Sequence, residues 1–327
     1  MSIKQKYLIT ILVFFVLIFI ATFAGRYQSA SGVLDYKSDP LFKRLVFDIR
    51  IPRIILSIIV GAGLAASGLI MQTIFQNSLA DPGILGINQA AGFGAALGYI
   101  LFPTSNLPIR VIAFVSGIFA LFLIILISRQ INVYRRLSLI FAGIAVSAFF
   151  SAGLGLIKYL ADPLNQLPSI VFWLLGSLST TNWQAVAEIT PISVACIITL
   201  FLLRWRTNAY ALNDSILHSM GIKRNLEIYA VLSISVLLTT VIISYTGLIG
   251  WVGLIIPNIA RLIFGYDLRR SLPSAIIIGA IFVLISDTMA RTLVAGEIPL
   301  GIITAFFGAL IFVILMFAKG NSLQKNG

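Results

Sequence analysis

Residues 50–75 read RIPRIILSIIVGAGLAASGLIMQTIF. Two arginines bracket a proline, and the 22 residues that follow, 54–75, carry no charge. About 20 apolar residues suffice to cross the hydrocarbon of a bilayer as a helix, so this run is long enough to span. Gly61, Gly63, Ser67 and Gly68 are scattered along it. Small residues let helix backbones approach closely where lipid offers no hydrophobic drive, so the run reads as a span packed among other spans. Residues 61–66 also fit the G-x-G-x-x-A spacing of a dinucleotide loop. That reading needs a surrounding strand–helix–strand unit, which an uninterrupted apolar run does not supply.

Nine further runs lie on either side, at 8–24, 83–102, 111–127, 137–157, 185–203, 228–246, 248–265, 272–290 and 298–318. Gly94 and Gly98 give the third run a G-x-x-x-G spacing. The segment 167–178 is too short to span, and Trp173 and Trp183 flank its C-terminal half. Trp favours the membrane–water boundary, so an interfacial or re-entrant helix is expected there. The run at 8–24 follows Lys4 and Lys6 like a signal sequence, but 17 residues exceed a secretory apolar core. An uncleaved first helix is the expectation. The fold class is therefore an all-α polytopic membrane protein with about ten transmembrane helices in a single domain, 1–327.

Composition agrees. Of 327 residues, 59% are apolar and 10% charged, with a mean hydropathy of +1.03. A soluble domain is about half apolar and about a quarter charged. A soluble enzyme, a nucleic-acid binder and a disordered chain are excluded. The net charge of +12 reflects topology, because Lys and Arg in cytoplasmic loops set orientation. With the N-terminus inside, fourteen of the 23 Lys and Arg fall in cytoplasmic segments and nine outside. Both termini are expected in the cytoplasm of a multi-pass cytoplasmic-membrane protein. The first outer stretch is itself basic, which asks for a second explanation.

The chain has one cysteine, Cys196, and one histidine, His218, so neither a disulfide nor a His/Cys metal cluster is expected. No Gly-Lys dipeptide occurs, which excludes a Walker A loop. Ion-coupled carriers bury ionisable residues at mid-membrane. Here Glu188 and Asp287 lie near run ends, where a hydrogen-bonded structural carboxylate is the simpler reading. A passive scaffold driven by a separate protein fits better than an ion-coupled secondary transporter, the rival reading, or than a membrane-embedded enzyme.

Five ordered motifs resemble the FecCD-type permeases, membrane subunits of type II ABC importers for ferric siderophores, haem and cobalamin. They cover about residues 45–320. Arg50-Ile51-Pro52-Arg53 with the glycine-rich run after it resembles the second-helix signature. Residues 77–86, NSLADPGILG, are similar to N-P-L-A-[DE]-P-G-[IL]-L-G, with Ser78 in place of Pro. Residues 172–178, FWLLGSL, match W-x-x-G-S-L. Residues 250–261, GWVGLIIPNIAR, resemble G-F-[IV]-G-L-[IV]-[IV]-P-H-[IA]-x-R, with Asn258 where His is common. Residues 287–291 and 297–301 resemble D-x-x-A-R and E-[LI]-P-[LIV]-G.

The resemblance implies a permease dimer, homo- or heteromeric, that moves an iron(III)–siderophore complex, with haem or cobalamin as alternatives. It implies two cytoplasmic ABC ATPases that bind ATP and Mg, and an extracellular substrate-binding protein or lipoprotein. No catalytic residue, metal or cofactor is expected in this chain, and its surroundings are lipid rather than nucleic acid. The resemblance gives Arg50, Arg53 and Arg291 a role in docking the binding protein, which would explain the basic outer stretch. It makes 204–227 the coupling loop that sits on the ATPase, with Leu212, Asn213, Asp214, Leu217, Ser219, Met220 and Gly221 as contacts. It lines the translocation pathway with the fifth and tenth runs, through Leu137, Ser138, Gly143, Ser147, Thr304, Phe307 and Phe312.

Overall fold

The computed structural model describes residues 2–25, 40–83, 85–131, 135–210, 224–294 and 296–324. Among them every regular element is a helix. Helix α1 (Ile3–Phe23) is followed by α2 (Pro40–Arg44), a π-helical turn (Leu45–Arg50) and α3 (Ile51–Phe75). Then come α4 (Ile87–Leu101), α5 (Asn106–Gln130), α6 (Arg135–Leu160), the short α7 (Gln166–Leu174) and α8 (Trp183–Ala209). The last four are α9 (Arg224–Thr246), α10 (Val252–Phe264), α11 (Leu268–Thr292) and α12 (Leu300–Gln324).

Among the described residues eight helices are long and apolar enough to cross a membrane. The other two expected spans fold as shorter helices. At 83–102 the turn residues Pro82, Gly83 and a left-handed Gly86 (φ 75°) delay the start of α4, leaving 15 residues. At 248–265 the backbone breaks where Gly247 and Trp251 take positive φ (68° and 72°), so α10 has 13 residues. At 1.5 Å per residue such a helix is about 20 Å long, short of the roughly 30 Å hydrocarbon core. Irregular backbone at that depth is tolerated only inside protein. Here Ser177 N donates to Thr246 O at 2.7 Å and Gly247 N to Ile243 O at 2.9 Å.

Helix α3 is the centre of the bundle and is buried almost throughout. It packs on α8, α9, α10 and α11. Side chains are missing where backbones meet. A Cβ on Gly61 would strike the carbonyl of Gly279 in α11, and one on Gly68 the carbonyl of Gly253 in α10. The G-x-x-x-G pair of α4 works similarly against α5, with Gly94 on Ile112 and Ser116, and Gly98 on Ile109.

Helix α1 lies on the periphery with Leu8, Leu12, Phe15 and Phe19 exposed. Its first turn is tied by Lys6 Nζ to Ile263 O at 2.7 Å and by Tyr7 Oη to Arg270 O at 2.6 Å. We call the face holding these contacts the terminal face, and the other the opposite face.

Candidate functional site

Three motifs separated in the chain converge on the opposite face. The π-helical turn and the start of α3 carry Arg50 and Arg53, the end of α11 carries Asp287 and Arg291, and the segment before α12 carries Glu297. Single π turns recur at functional sites. Arg53 Nε donates to Asp287 Oδ1 at 2.7 Å, and its Nη1 donates to both carboxylate oxygens of Glu297 at 2.8 Å. Arg291 Nε stands 3.9 Å from Asp287 Oδ2, one helical turn along. Arg291 also donates to the carbonyls of Ala21 and Ala24. Arg50 donates to the carbonyls of Thr22 and Phe23 at 3.1 and 3.0 Å and lies over the Phe42 ring.

The end of α1 is thus pinned by two guanidiniums that neutralise its unpaired carbonyls. Arg53 is 4% exposed and Asp287 1%, whereas the Glu297 side chain is 39% exposed. Three guanidiniums and two carboxylates leave one net positive charge around a pit of about 160 Å³, lined also by Gly25, Leu45 and Ile49.

The expected docking arginines are therefore brought together, but they form the walls of a pit rather than an open basic surface. Carboxylates and helix-end carbonyls of the same chain draw them in. The accessible charged group is Glu297, whose role the sequence did not disclose.

Beside this cluster three non-helical joints meet. Leu300 N donates to Gly176 O at 2.8 Å and Gly301 N to Leu175 O at 3.0 Å. A Cβ on Gly301 would strike the Leu175 carbonyl, and one on Gly176 the Leu248 carbonyl. The W-x-x-G-S-L segment, the break before α10 and the start of α12 are thereby fastened at one point.

A cavity of about 430 Å³ opens near this joint, with Tyr99, Arg110, Trp173, Ser177 and Tyr245 in its lining. Glu188 stands beside it, accepting from Tyr245 Oη at 2.7 Å and Gln184 Nε2 at 2.9 Å, with Arg110 at 3.8 Å. It is a hydrogen-bonded carboxylate at a helix end, as its position in the run suggested. Among the described residues no group of His, Cys, Asp and Glu could hold a metal ion.

The residues expected to line a pathway fall on two helices with different neighbours. Helix α6 packs on α4 and α5, and α12 on α10 and α11. Leu137 is exposed. Ser138 and Gly143 are buried, and Ser138 Oγ reaches Ile131 O at 3.3 Å. Ser147 backs against Gly86. Thr304 is buried and donates to Gly301 O at 3.2 Å. Phe307 stacks edge-on with Phe306, and Phe312 with Trp251. Leu212, Asn213, Asp214, Leu217, Ser219, Met220 and Gly221 lie outside the described residues.

On the terminal face the two departures from the family-like motifs turn out to be one contact. Asn258 Nδ2 donates to Ser78 O at 3.0 Å and to Leu254 O at 2.8 Å. Position 78 offers only its carbonyl, which Pro would offer equally. Gln72 Nε2 also donates to Leu254 O, and Arg261 Nη1 donates to Gln72 Oε1. Asn258→Ala should therefore strand mainly the Ser78 carbonyl and cost about 1–2 kcal/mol, read as a lower melting temperature in detergent. Asn258→His should recover most of it, because a ring N–H can donate to the same oxygen. An unchanged melting temperature for the alanine variant would refute the bond's contribution.

The model of the FecCD transport family matches residues 9–318. The chain is 37% identical over 279 residues to the Molybdate import system permease protein MolB of Haemophilus influenzae, covering 85% of this chain and 82% of that one. It is 39% identical over 274 residues to the probable iron chelatin transport system permease protein of Helicobacter pylori, covering 84% and 82%. A solved metal-chelate type ABC transporter in an inward-facing conformation superposes with a TM-score of 0.90 at 34% identity, covering 96% of this chain and 99% of that one.

Proposed function

The chain belongs to the FecCD transport family, and from that membership we propose that it is the permease of an importer for iron(III)–siderophore complexes. Its ABC-permease fold carries the reading. In this arrangement two copies, or this chain and a related one, enclose the pathway. A pair of separate ATPases binds ATP and Mg, and an external binding protein delivers the substrate. The terminal face is cytoplasmic, both termini lie inside, and segment 204–227 rests on the ATPase through residues 212–221.

The iron chelate is favoured over molybdate by the 39% identical Helicobacter relative and the metal-chelate type structure, while the 37% identical Haemophilus relative keeps molybdate as the second reading. Haem and cobalamin remain members of the same panel. The test is uptake of radiolabelled iron, presented as a range of siderophores and as haem, alongside labelled molybdate and cobalamin, in a strain with and without this gene. Gene-dependent uptake of a ferric siderophore supports the reading. Uptake of molybdate alone would overturn it.

The pit gives the docking role a physical form. An acidic side chain of the binding protein entering it would meet Arg50 and Arg291 and compete with Glu297 for Arg53. Opposite charges at an interface mainly set orientation and on-rate. Glu297→Gln should remove the competitor and tighten docking about threefold at low salt, with the gain vanishing at high salt as screening takes over. An affinity that is the same for both forms at low salt would refute docking at this pit.

A further inference from the structure

On the terminal face Tyr210 closes α8 and immediately precedes the segment 211–223. It is fully buried. Its carbonyl accepts from Arg136 Nη2 at 2.7 Å and from Gln76 Nε2 at 3.3 Å. Its hydroxyl donates to Glu227 Oε2 at 2.8 Å, and Glu227 Oε1 stands 3.7 Å from Arg206. Burial, and then the adjacent Glu227 carboxylate, hold the Tyr210 phenol well above its ordinary range. It remains a donor at any physiological pH.

The two flanks of segment 211–223 are thus tied to each other. Tyr210 on one side and Glu227 on the other form a closed neck. From that neck one arm runs to the end of α3 through Gln76. Another runs to the first turn of α6 through Arg136. The two arms end on very different bodies. Helix α3 is buried on all sides in the bundle centre. Helix α6 packs on α4 and α5 and leaves Leu137, Phe141, Ile144 and Phe149 exposed.

A displacement of the neck meets the end of α3 at Gln76 and the first turn of α6 at Arg136. A cation in the first turn opposes the helix dipole, and α6 begins with two, Arg135 and Arg136. The charge-assisted bond from Arg136 to the Tyr210 carbonyl is stronger than a neutral one.

We propose that Arg136 is a positioning residue that transmits movement of the Tyr210–Glu227 neck to α6. The inference rests on the reading of 204–227 as the ATPase contact. No atom of Arg136 need touch substrate for this. It holds the end of α6 to the neck, so that α6 follows when the neck moves.

The experiment uses the whole complex of permease, ATPases and binding protein in liposomes. The probe is radiolabelled iron as the best-transported siderophore complex of the panel. The readout is iron moved per ATP hydrolysed, with assembly monitored by gel filtration. Arg136→Met removes the donor and keeps the apolar stem. It should lower iron per ATP about tenfold, within the range found for residues that couple distant sites. ATP hydrolysis and assembly should stay near wild-type levels. Arg136→Lys, which keeps a charged donor, should recover most of the ratio. Gln76→Leu weakens the other arm and should leave the ratio nearly unchanged.

An unchanged ratio for Arg136→Met overturns the inference. So does a parallel fall in ATP hydrolysis, uptake and assembly, which marks a structural role alone. A wild-type complex whose uptake is indifferent to ATP overturns the functional reading itself, and the link with it.

Discussion

Arg53→Met should leave little folded protein in the membrane. Arg53 touches both Asp287 and Glu297, but the two carboxylates are not equivalent once it is gone. Glu297 is exposed enough to find water, so its loss of partner costs little, as for a surface ion pair. Asp287 is 1% exposed. Its Oδ1 loses the 2.7 Å bond, and its Oδ2 accepts no hydrogen bond within the described residues. Arg291 at 3.9 Å is the remaining cation, and its Nη atoms are committed to α1. Breaking a buried pair from one side costs about 3–5 kcal/mol, a large part of the roughly 5–15 kcal/mol that holds a typical domain folded.

The order of severity among variants follows from the same burial. Glu297→Gln should be nearly silent in stability. Asp287→Asn should be intermediate, because Arg53 keeps Glu297. The double variant Arg53→Met with Asp287→Asn should be more stable than Arg53→Met alone, since no ionised group is then stranded. Fluorescence-detected gel filtration of detergent extracts at rising temperature reads all four. A double variant no better than the single one would show that packing of the guanidinium stem, rather than the stranded charge, sets the loss.

A comparable loss is expected for Gly68→Val. Helix α3 meets α10 at Gly68 with no side chain between the backbones, and the atom a Cβ would strike is the Gly253 carbonyl. A backbone carbonyl in a neighbouring helix cannot swing aside. The helices must separate, and every contact along α3 loosens with them. Overpacking typically costs about 1–3 kcal/mol and occasionally more, and this site, with its collision against main chain, belongs at the upper end.

Gly63→Ala provides the control within the same helix. There an added Cβ meets the terminal methyls of Ile242 and Leu238, at 2.5 and 3.2 Å, and such ends can change rotamer. Its melting temperature should fall far less than that of Gly68→Ala. Equal effects at the two positions would mean that loss of glycine as such, and not the close approach to Gly253, is responsible.

Hydropathy located the eight helices that, among the described residues, are long and apolar enough to cross a membrane, because long apolar runs are a one-dimensional property. It overestimated the helical length at 83–102 and 248–265. The conformations that shorten those helices, a left-handed Gly86 and the break at Gly247 and Trp251, leave composition unchanged. The small residues of 61–68 were legible as packing positions, though not their partners, which lie in α9, α10 and α11.

The arginines were legible as a group through the resemblance. Whether they face a partner or their own chain was not, since a charge at a run end can turn either way. Only folding brings Asp287 and Glu297 to Arg53 across more than 230 residues. The Ser78–Asn258 contact and the Tyr210 neck escaped for the same reason. The first, and the two arms of the second, join a side chain to a backbone carbonyl, and a carbonyl has no signature in sequence.

The glycine joint at the start of α12 also fixes how far that helix can reach. Twenty-five residues make a rod of about 37 Å, fastened near one tip where Leu300 and Gly301 bond to Gly176 and Leu175. Tilting such a rod by about 5° at the fastened tip sweeps its far tip through roughly 3 Å, by the geometry of a 1.5 Å rise per residue. That is about the width of a water molecule. A rearrangement at the joint that tilts α12 by a few degrees is therefore magnified, at the helix's other end, into a displacement the size of a water molecule.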